Sequence, residues 1–110
     1  MTDRELVERA AKASGYSGFW VTSWDALKLD RPFSINGATV RVWNPIKNDL
    51  EALRLSVKMN FSVIQDPENC LVTIAQNGTP IASAEWSAMR DQLSTTRYVI
   101  TLAASNLFLA

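Results

Sequence analysis

With 110 residues, 47% of them apolar and 20% charged, the chain has the length and makeup of one globular domain, residues 1–110, enclosing one core. Eleven Lys plus Arg balance eleven Asp plus Glu, so bulk charge supplies no pull toward nucleic acid or an anionic membrane. Histidine is absent and cysteine occurs once, which removes imidazole catalysis, imidazole metal ligation and any internal disulfide.

In chain order, Thr2-Asp3-Arg4-Glu5 reads as a capping box that opens a helix, closed after about Ser14 by Gly15. Leu6, Val7, Ala10 and Ala13 share one face of it, and Glu5, Glu8, Arg9 and Lys12 the other. Gly18 to Trp24 is aromatic and β-branched enough for a strand. Asp30-Arg31-Pro32 and Ile35-Asn36-Gly37 read as loop and turn, and Ala38 to Trp43 as a second strand with Val40 and Val42 inward.

The richest stretch is Trp43 to Met59. Asn48 is placed to cap a helix, with Glu51 reaching back to the cap amide. At about 100° per residue, Ile46, Leu53 and Val57 join Leu50 on one flank, while Ala52, Leu55 and Met59 form another. Glu51, Arg54 and Lys58 make the one charged stripe, expected in water. Such a helix is expected to be heavily buried, covered on two sides.

A β region follows. Phe61 to Gln65 is a short strand, Asp66-Pro67-Glu68-Asn69 a type I turn, and Asn77-Gly78 a hairpin between Cys70–Gln76 and Thr79–Trp86. The hairpin register sets Ile74 opposite Ile81, and Pro80 on the rim of the sheet. Cys70, at a strand start, reads as a buried structural thiol. A last helix begins between Ser87 and Thr95 and runs to about Leu107. Ile100, Ala103, Ala104 and Leu107 form one apolar flank with Leu93 above, and Tyr98, Leu102 and Leu109 an opposing one. The apolar run from Tyr98 to Ala110 is broken by Thr101, Ser105 and Asn106 and falls short of the ~20 residues a membrane span needs. No apolar signal core follows the charged N-terminus, so a cytoplasmic location is expected. The fold class expected is α+β: a mainly antiparallel sheet of three or more strands packed with about three helices, αβα-sandwich-like.

Three blocks carry a resemblance: Thr2-Asp3-Arg4-Glu5-Leu6 with Ala10-Ala11-Lys12-Ala13; Trp43-Asn44-Pro45-Ile46 with Asp49 and Ala52 to Lys58; and Thr96 to Ile100 with Ala103-Ala104. In these the chain resembles small accessory proteins of tailed bacteriophages and prophages, the phage αβα-sandwich domain family. The resemblance implies a sheet with helices packed on it and carries over no catalytic residues. The apolar C-terminal helix and residues 16–37 depart from the family pattern, and either could bind this member's own partner.

No catalytic constellation stands out, and neither a cofactor nor a metal is expected. Asp66 with Glu68, and Asp25 with Asp30, are the local carboxylate pairs, each with the look of ordinary surface acids. Tyr16, Phe19, Trp20 and Trp24 make a dense aromatic patch, the candidate partner-binding residues, with burial under a long loop as the competing reading. Trp43 and Trp86 read as core. Tyr98, Leu102, Phe108 and Leu109 are the self-association candidates, for a homodimer. The functional expectation is a non-catalytic phage or prophage protein that binds a bacterial host protein and inhibits a defence or regulatory complex. The alternative is a small nucleic-acid-binding or transcription-regulating module, with Arg41 and Arg97 extending the Arg54/Lys58 stripe into a basic track.

Overall fold

The computed structural model describes residues 1–109, with side chains through Phe108. The first helix, α1 (Asp3–Ser14), begins where Thr2 Oγ1 accepts the Glu5 amide at 3.2 Å. It stops at Gly15, whose φ of 88° lets the Gly15 and Tyr16 amides turn back onto Lys12 and Ala11 carbonyls. The strands β1 (Gly18–Val21), β2 (Ala26–Ile35) and β3 (Ala38–Trp43) follow, with a 3-10 turn at Thr22–Trp24. Next come α2 (Asp49–Lys58), β4 (Phe61–Asp66), β5 (Leu71–Gln76), β6 (Thr79–Glu85) and α3 (Gln92–Leu109).

The fold is α+β, and its strands divide into two antiparallel sheets, ordered β1-β2-β3 and β4-β5-β6. The first sheet meets α1 through β1 and β2; the second meets α3 through β5 and β6. Helices α1 and α3 pack extensively on each other, and α2 lies beside α3 and β4. Ala10, Ala11, Ala103 and Ala104 are all buried, and their small side chains permit that close approach. Val7, Leu27, Leu29, Leu55, Val72, Ile74 and Val99 complete the core, with Trp43 as its largest member.

Both hairpins turn on Asn-Gly pairs, Asn36-Gly37 and Asn77-Gly78, with positive φ at all four residues as a type I′ turn demands. Gly18 is fixed for another reason. A Cβ there would lie 2.2 Å from the Lys28 carbonyl oxygen, so only glycine lets β1 close on β2.

Several expectations are corrected. Asp30-Arg31-Pro32 is no loop but part of β2, accommodated by an irregular register between Lys28 and Phe33. Val40 and Val42 do not both turn inward: Val40 and Trp43 pack on the core, while Val42, opposite Lys28, points out. In the second sheet a register shift sets Ile74 opposite Ala82 instead of Ile81. β6 is a sheet edge, as Pro80 requires. Cys70 is exposed, outside the strand, at φ 51° in the turn that precedes β5.

The largest correction concerns α2. Ala52, Leu55 and Ser56 are buried, but Leu50, Leu53 and Val57 are 51%, 58% and 72% exposed. One flank is covered and the other is open. Glu51, expected in water, is buried. By contrast α3 is enclosed on several sides, with Val99, Ile100, Thr101, Ala103, Ala104 and Ser105 all buried. The Thr101 hydroxyl is satisfied by the Arg97 carbonyl at 2.9 Å, so this polar residue interrupts the apolar run without cost to burial.

Candidate protein-binding surface

The geometry of the candidate site starts at the Trp43-Asn44-Pro45-Ile46 junction between β3 and α2. Trp43 is 1% exposed and Pro45 is buried, which anchors the chain from below. Asn44 then makes three bonds. Its amide donates to Glu51 Oε2 at 2.7 Å, its Nδ2 donates to the Asp25 carbonyl at 2.7 Å, and its Oδ1 accepts the Ile46 amide at 3.0 Å. One residue thereby ties the end of β3 to α2 through its backbone amide, and to the residue before β2 and the Ile46 turn through its side chain.

Glu51 therefore does not complete the capping box. Asn48 Oδ1 accepts the Glu51 amide at 3.0 Å, as a cap should, but the Glu51 carboxylate turns to Asn44. Burial pushes that carboxyl above its ordinary range, while the Asn44 amide and the Arg54 guanidinium pull it down. From α3, Arg97 closes the junction: Nε donates to the Ile46 carbonyl at 2.8 Å, Nη1 to Asp49 Oδ1 at 2.6 Å and Nη2 to Ser94 Oγ at 3.1 Å. The planar guanidinium suits this multiple contact as an ammonium would not.

Against this rigid junction lies a cleft of about 290 Å³, lined by Trp24, Asp25, Ala26, Val42, Lys47 and Glu51 among others. Trp24 is 52% exposed and Val42 39%. Beyond Val42, the register carries the row across the sheet to Lys28 and then Phe19. Phe19 is 55% exposed, with the Lys28 ammonium 5.6 Å from its ring centre. The outward face of the first sheet thus presents two large aromatics and a valine, interleaved with Lys28, Lys47 and Asp25. Asp25 sits at φ 51°, and its carboxylate pairs with Lys47. Solvent-facing tryptophan and phenylalanine held by a stiff scaffold have the character of interface anchors.

The four aromatics singled out from sequence separate into two groups. Phe19 and Trp24 are on this open face. Tyr16 and Trp20 pack against the core, Tyr16 stacked 5.6 Å from Phe33 and tilted 5.2 Å from Trp43. Lys58 lies 4.1 Å over the Tyr16 ring, and burial raises the phenol above its usual range. Trp20 and Trp24 do not share a face because β1 ends between them and the 3-10 turn reorients the chain. Trp43 and Trp86 are core residues, as expected, Trp86 only partly buried.

Among the self-association candidates, Tyr98 and Leu102 are half-buried, with Arg90 4.3 Å over the Tyr98 ring. Phe108 is 46% exposed, with Lys12 5.5 Å from its ring. The Leu109 side chain and Ala110 lie outside the described residues. The larger open apolar surface is on α2, continued by Leu93 in the first turn of α3, 64% exposed, and by Val63 of β4. Leu53, Val63, Leu93 and Ile100 line a groove of about 350 Å³ between α2 and α3. Sequence periodicity pointed to α2 as doubly apolar but not to which flank stays open, and the loop reading of Asp30-Arg31-Pro32 concealed the β2–β3 face.

The carboxylate pairs do not assemble. Asp66 is engaged by Asn69 in its own turn, at 2.8 Å from Nδ2, and Asp25 and Asp30 line different cavities. Asp25 does share its cleft with Glu51, but the first is balanced by Lys47 and the second by the Asn44 amide. Among the described residues no group of three or more Cys, Asp or Glu side chains converges as a metal site. Many cations are already engaged: Arg4 with Glu8, Arg97 with Asp49, and Lys12, Lys28, Lys58 and Arg90 over aromatic rings. Of the Arg41–Arg54–Lys58–Arg97 track considered from sequence, Arg97 is tied to Asp49 and Lys58 lies over the Tyr16 ring. No helix among the described residues is long and apolar enough to cross a membrane. Comparison with protein-family models, with curated proteins and with solved structures gave no match.

Proposed function

We propose that this chain works by contact and not by chemistry: it is a phage or prophage accessory protein that binds a protein of the bacterial host and inhibits a defence or regulatory complex. The observation that carries the reading is the open aromatic row on the first sheet. Phe19 and Trp24 stand more than half exposed, while Trp43 is buried in the core and Tyr16 packs against it. Covering the half of each side chain that stands in water is worth roughly 1 kcal/mol or somewhat more apiece, a gain that a partner can collect. The rigid Asn44 junction supports this, because a surface that does not rearrange loses less entropy on binding.

The phage assignment rests on the three-block resemblance. Two of its blocks meet at the junction, where Arg97 binds Ile46 and Asp49, so their residues serve the scaffold under the cleft. The partner's complementary surface is an apolar segment flanked by both charge signs, matching Trp24 and Val42 between Lys28, Lys47 and Asp25.

The test is expression of the tagged protein in a bacterial host, beside a Phe19→Ala/Trp24→Ala double variant, with copurifying proteins quantified and phage growth scored. A host protein retained by the native chain and lost at least about tenfold by the folded variant supports the reading. Equal recovery by both, or no host partner together with no effect on phage growth, refutes it.

A further inference from the structure

The four sheet edges differ in how they are defended. β1 is only four residues long, β3 carries Arg41, and β6 carries Pro80 beside a register shift. Each is a known device against strand addition. β4 has none of them. It pairs with β5 in unbroken register from Phe61 to Asp66, contains neither Pro nor Lys nor Arg, and its one charge is the terminal Asp66.

Hydrogen-bond alternation fixes what that edge offers. In the Asn77-Gly78 hairpin, Gln76 and Thr79 are the closing hydrogen-bonded pair, so the Gln76 backbone groups point toward β6. Its partner Phe61, and then Val63 and Gln65 two and four residues on, are left with their amides and carbonyls facing off the open edge. Beside this edge stands the uncovered flank of α2, with Leu50, Leu53 and Val57, and on the same face of the sheet the side chain of Val63 at 39% exposure; Ile64, 49% exposed, alternates to the opposite face.

We propose that β4 pairs antiparallel with β4 of a second copy about a two-fold axis at Val63, joining two three-stranded sheets into one of six, while the open flanks of the two α2 helices close over the seam. The occupant is a second copy because the edge is complementary to itself. With Val63 opposite its symmetry mate, Phe61 meets Gln65 and Ser62 meets Ile64 of the second copy, and Asp66 falls beside Asn60. No like charges oppose one another, and equal parity keeps inward side chains on the same face. The axis runs perpendicular to the sheet, so both α2 helices lie on one side of it, antiparallel. The area is sufficient too. The open apolar side chains of α2 with Val63 form a patch of roughly a few hundred Å², the size at which an exposed patch is often an interaction surface, and the strand pairing with its polar rim brings the total toward the ~800 Å² per partner of a stable interface.

This dimer uses the second sheet and leaves the aromatic row on the first sheet free, so it stands or falls separately from the proposed function. Sedimentation of the full chain over a concentration series is the test, together with amide exchange by NMR. The native chain is expected at twice its monomer mass, with the Phe61, Val63 and Gln65 amides protected at high concentration and exposed on dilution. Val63→Pro deletes one edge donor without removing a β4–β5 bond, and Val57→Lys charges the open flank. Each is expected to weaken the dimer at least about tenfold, while Phe19→Ala leaves it intact. If Val63→Pro fails to fold, Val57→Lys and the exchange pattern decide. A strict monomer at high concentration, a dimer that persists in the folded variants, or edge amides that exchange freely within a dimer overturns the proposal.

Discussion

Helices α2 and α3 read alike in sequence, each apolar on more than one side, and the fold treats them differently. α3 runs between α1 and the second sheet, so its extra circumference is met by Ala10 and Ala11 on one hand and by Val72 and Ile74 on the other. α2 lies at the margin, beside α3 and β4. Its Ala52–Leu55 flank reaches the core, and its Leu50–Leu53–Val57 flank stays more than half exposed. The polar residues follow the same logic in reverse, because Thr101 and Ser105 of α3 and Glu51 of α2 are carried inside with their groups hydrogen-bonded. A surplus of apolar residues on a helix therefore measures how much surface it needs covered. It does not say whether its own chain covers it.

The contrast can be broken first at the shared core. Trp43→Ala removes the largest side chain of the core that Ala52 and Leu55 of α2 share, and is expected to cost about 3–5 kcal/mol in denaturant unfolding. A loss below ~1 kcal/mol would mean the inner flank of α2 is not anchored as described. Next comes the clamp between the two helices. Arg97→Ala forfeits the bonds to Ile46, Asp49 and Ser94 and is expected to lower stability by about 1.5–3 kcal/mol, with Arg97→Lys recovering little of it.

Glu51 gives a pH-dependent test of the inverted polarity. Burial raises its carboxyl in the folded state above the unfolded value, so the native chain holds that proton more tightly. Its contribution is fully present below the unfolded glutamate range and is lost as pH rises through the folded value. Comparing urea midpoints across that window, Glu51→Gln, which can still accept the Asn44 amide, is expected to flatten the decline. An unchanged profile would place the carboxylate in water. The smallest effect belongs to the open flank. Val57→Ser, at a site 72% exposed, is expected to change the stability of the monomer by no more than about 0.5 kcal/mol. A loss in the range of ~2 kcal/mol or more at a monomeric concentration would show that the flank is covered from within.

Much of the fold was legible wherever a local rule acts alone. Thr2 and Asn48 cap their helices as read, Gly15 ends α1, and Asn77-Gly78 turns the second hairpin. The misreadings share one cause. Pro32 reads as a loop signal, but an irregular stretch of β2 accommodates it, and pairing with Leu27 turns Trp43 inward and leaves Val42 outward. Cys70 reads as a strand start, but the turn from Pro67 runs through it. The aromatic site was half legible: the cluster was found, but its division into core Tyr16 and Trp20 and open Phe19 and Trp24 depends on where β1 ends.

Composition, capping residues and periodicity thus determined that this chain is α+β, which segments coil, and that two helices carry more apolar surface than one contact can use. They act within a turn or two of the chain, over distances the sequence itself displays. Only the tertiary structure decided that the strands divide into two sheets, that Glu51 is drawn inward by Asn44, and that the second flank of α2 is left bare. Those outcomes depend on which elements meet, and an element's neighbours are set by packing between segments far apart in the chain.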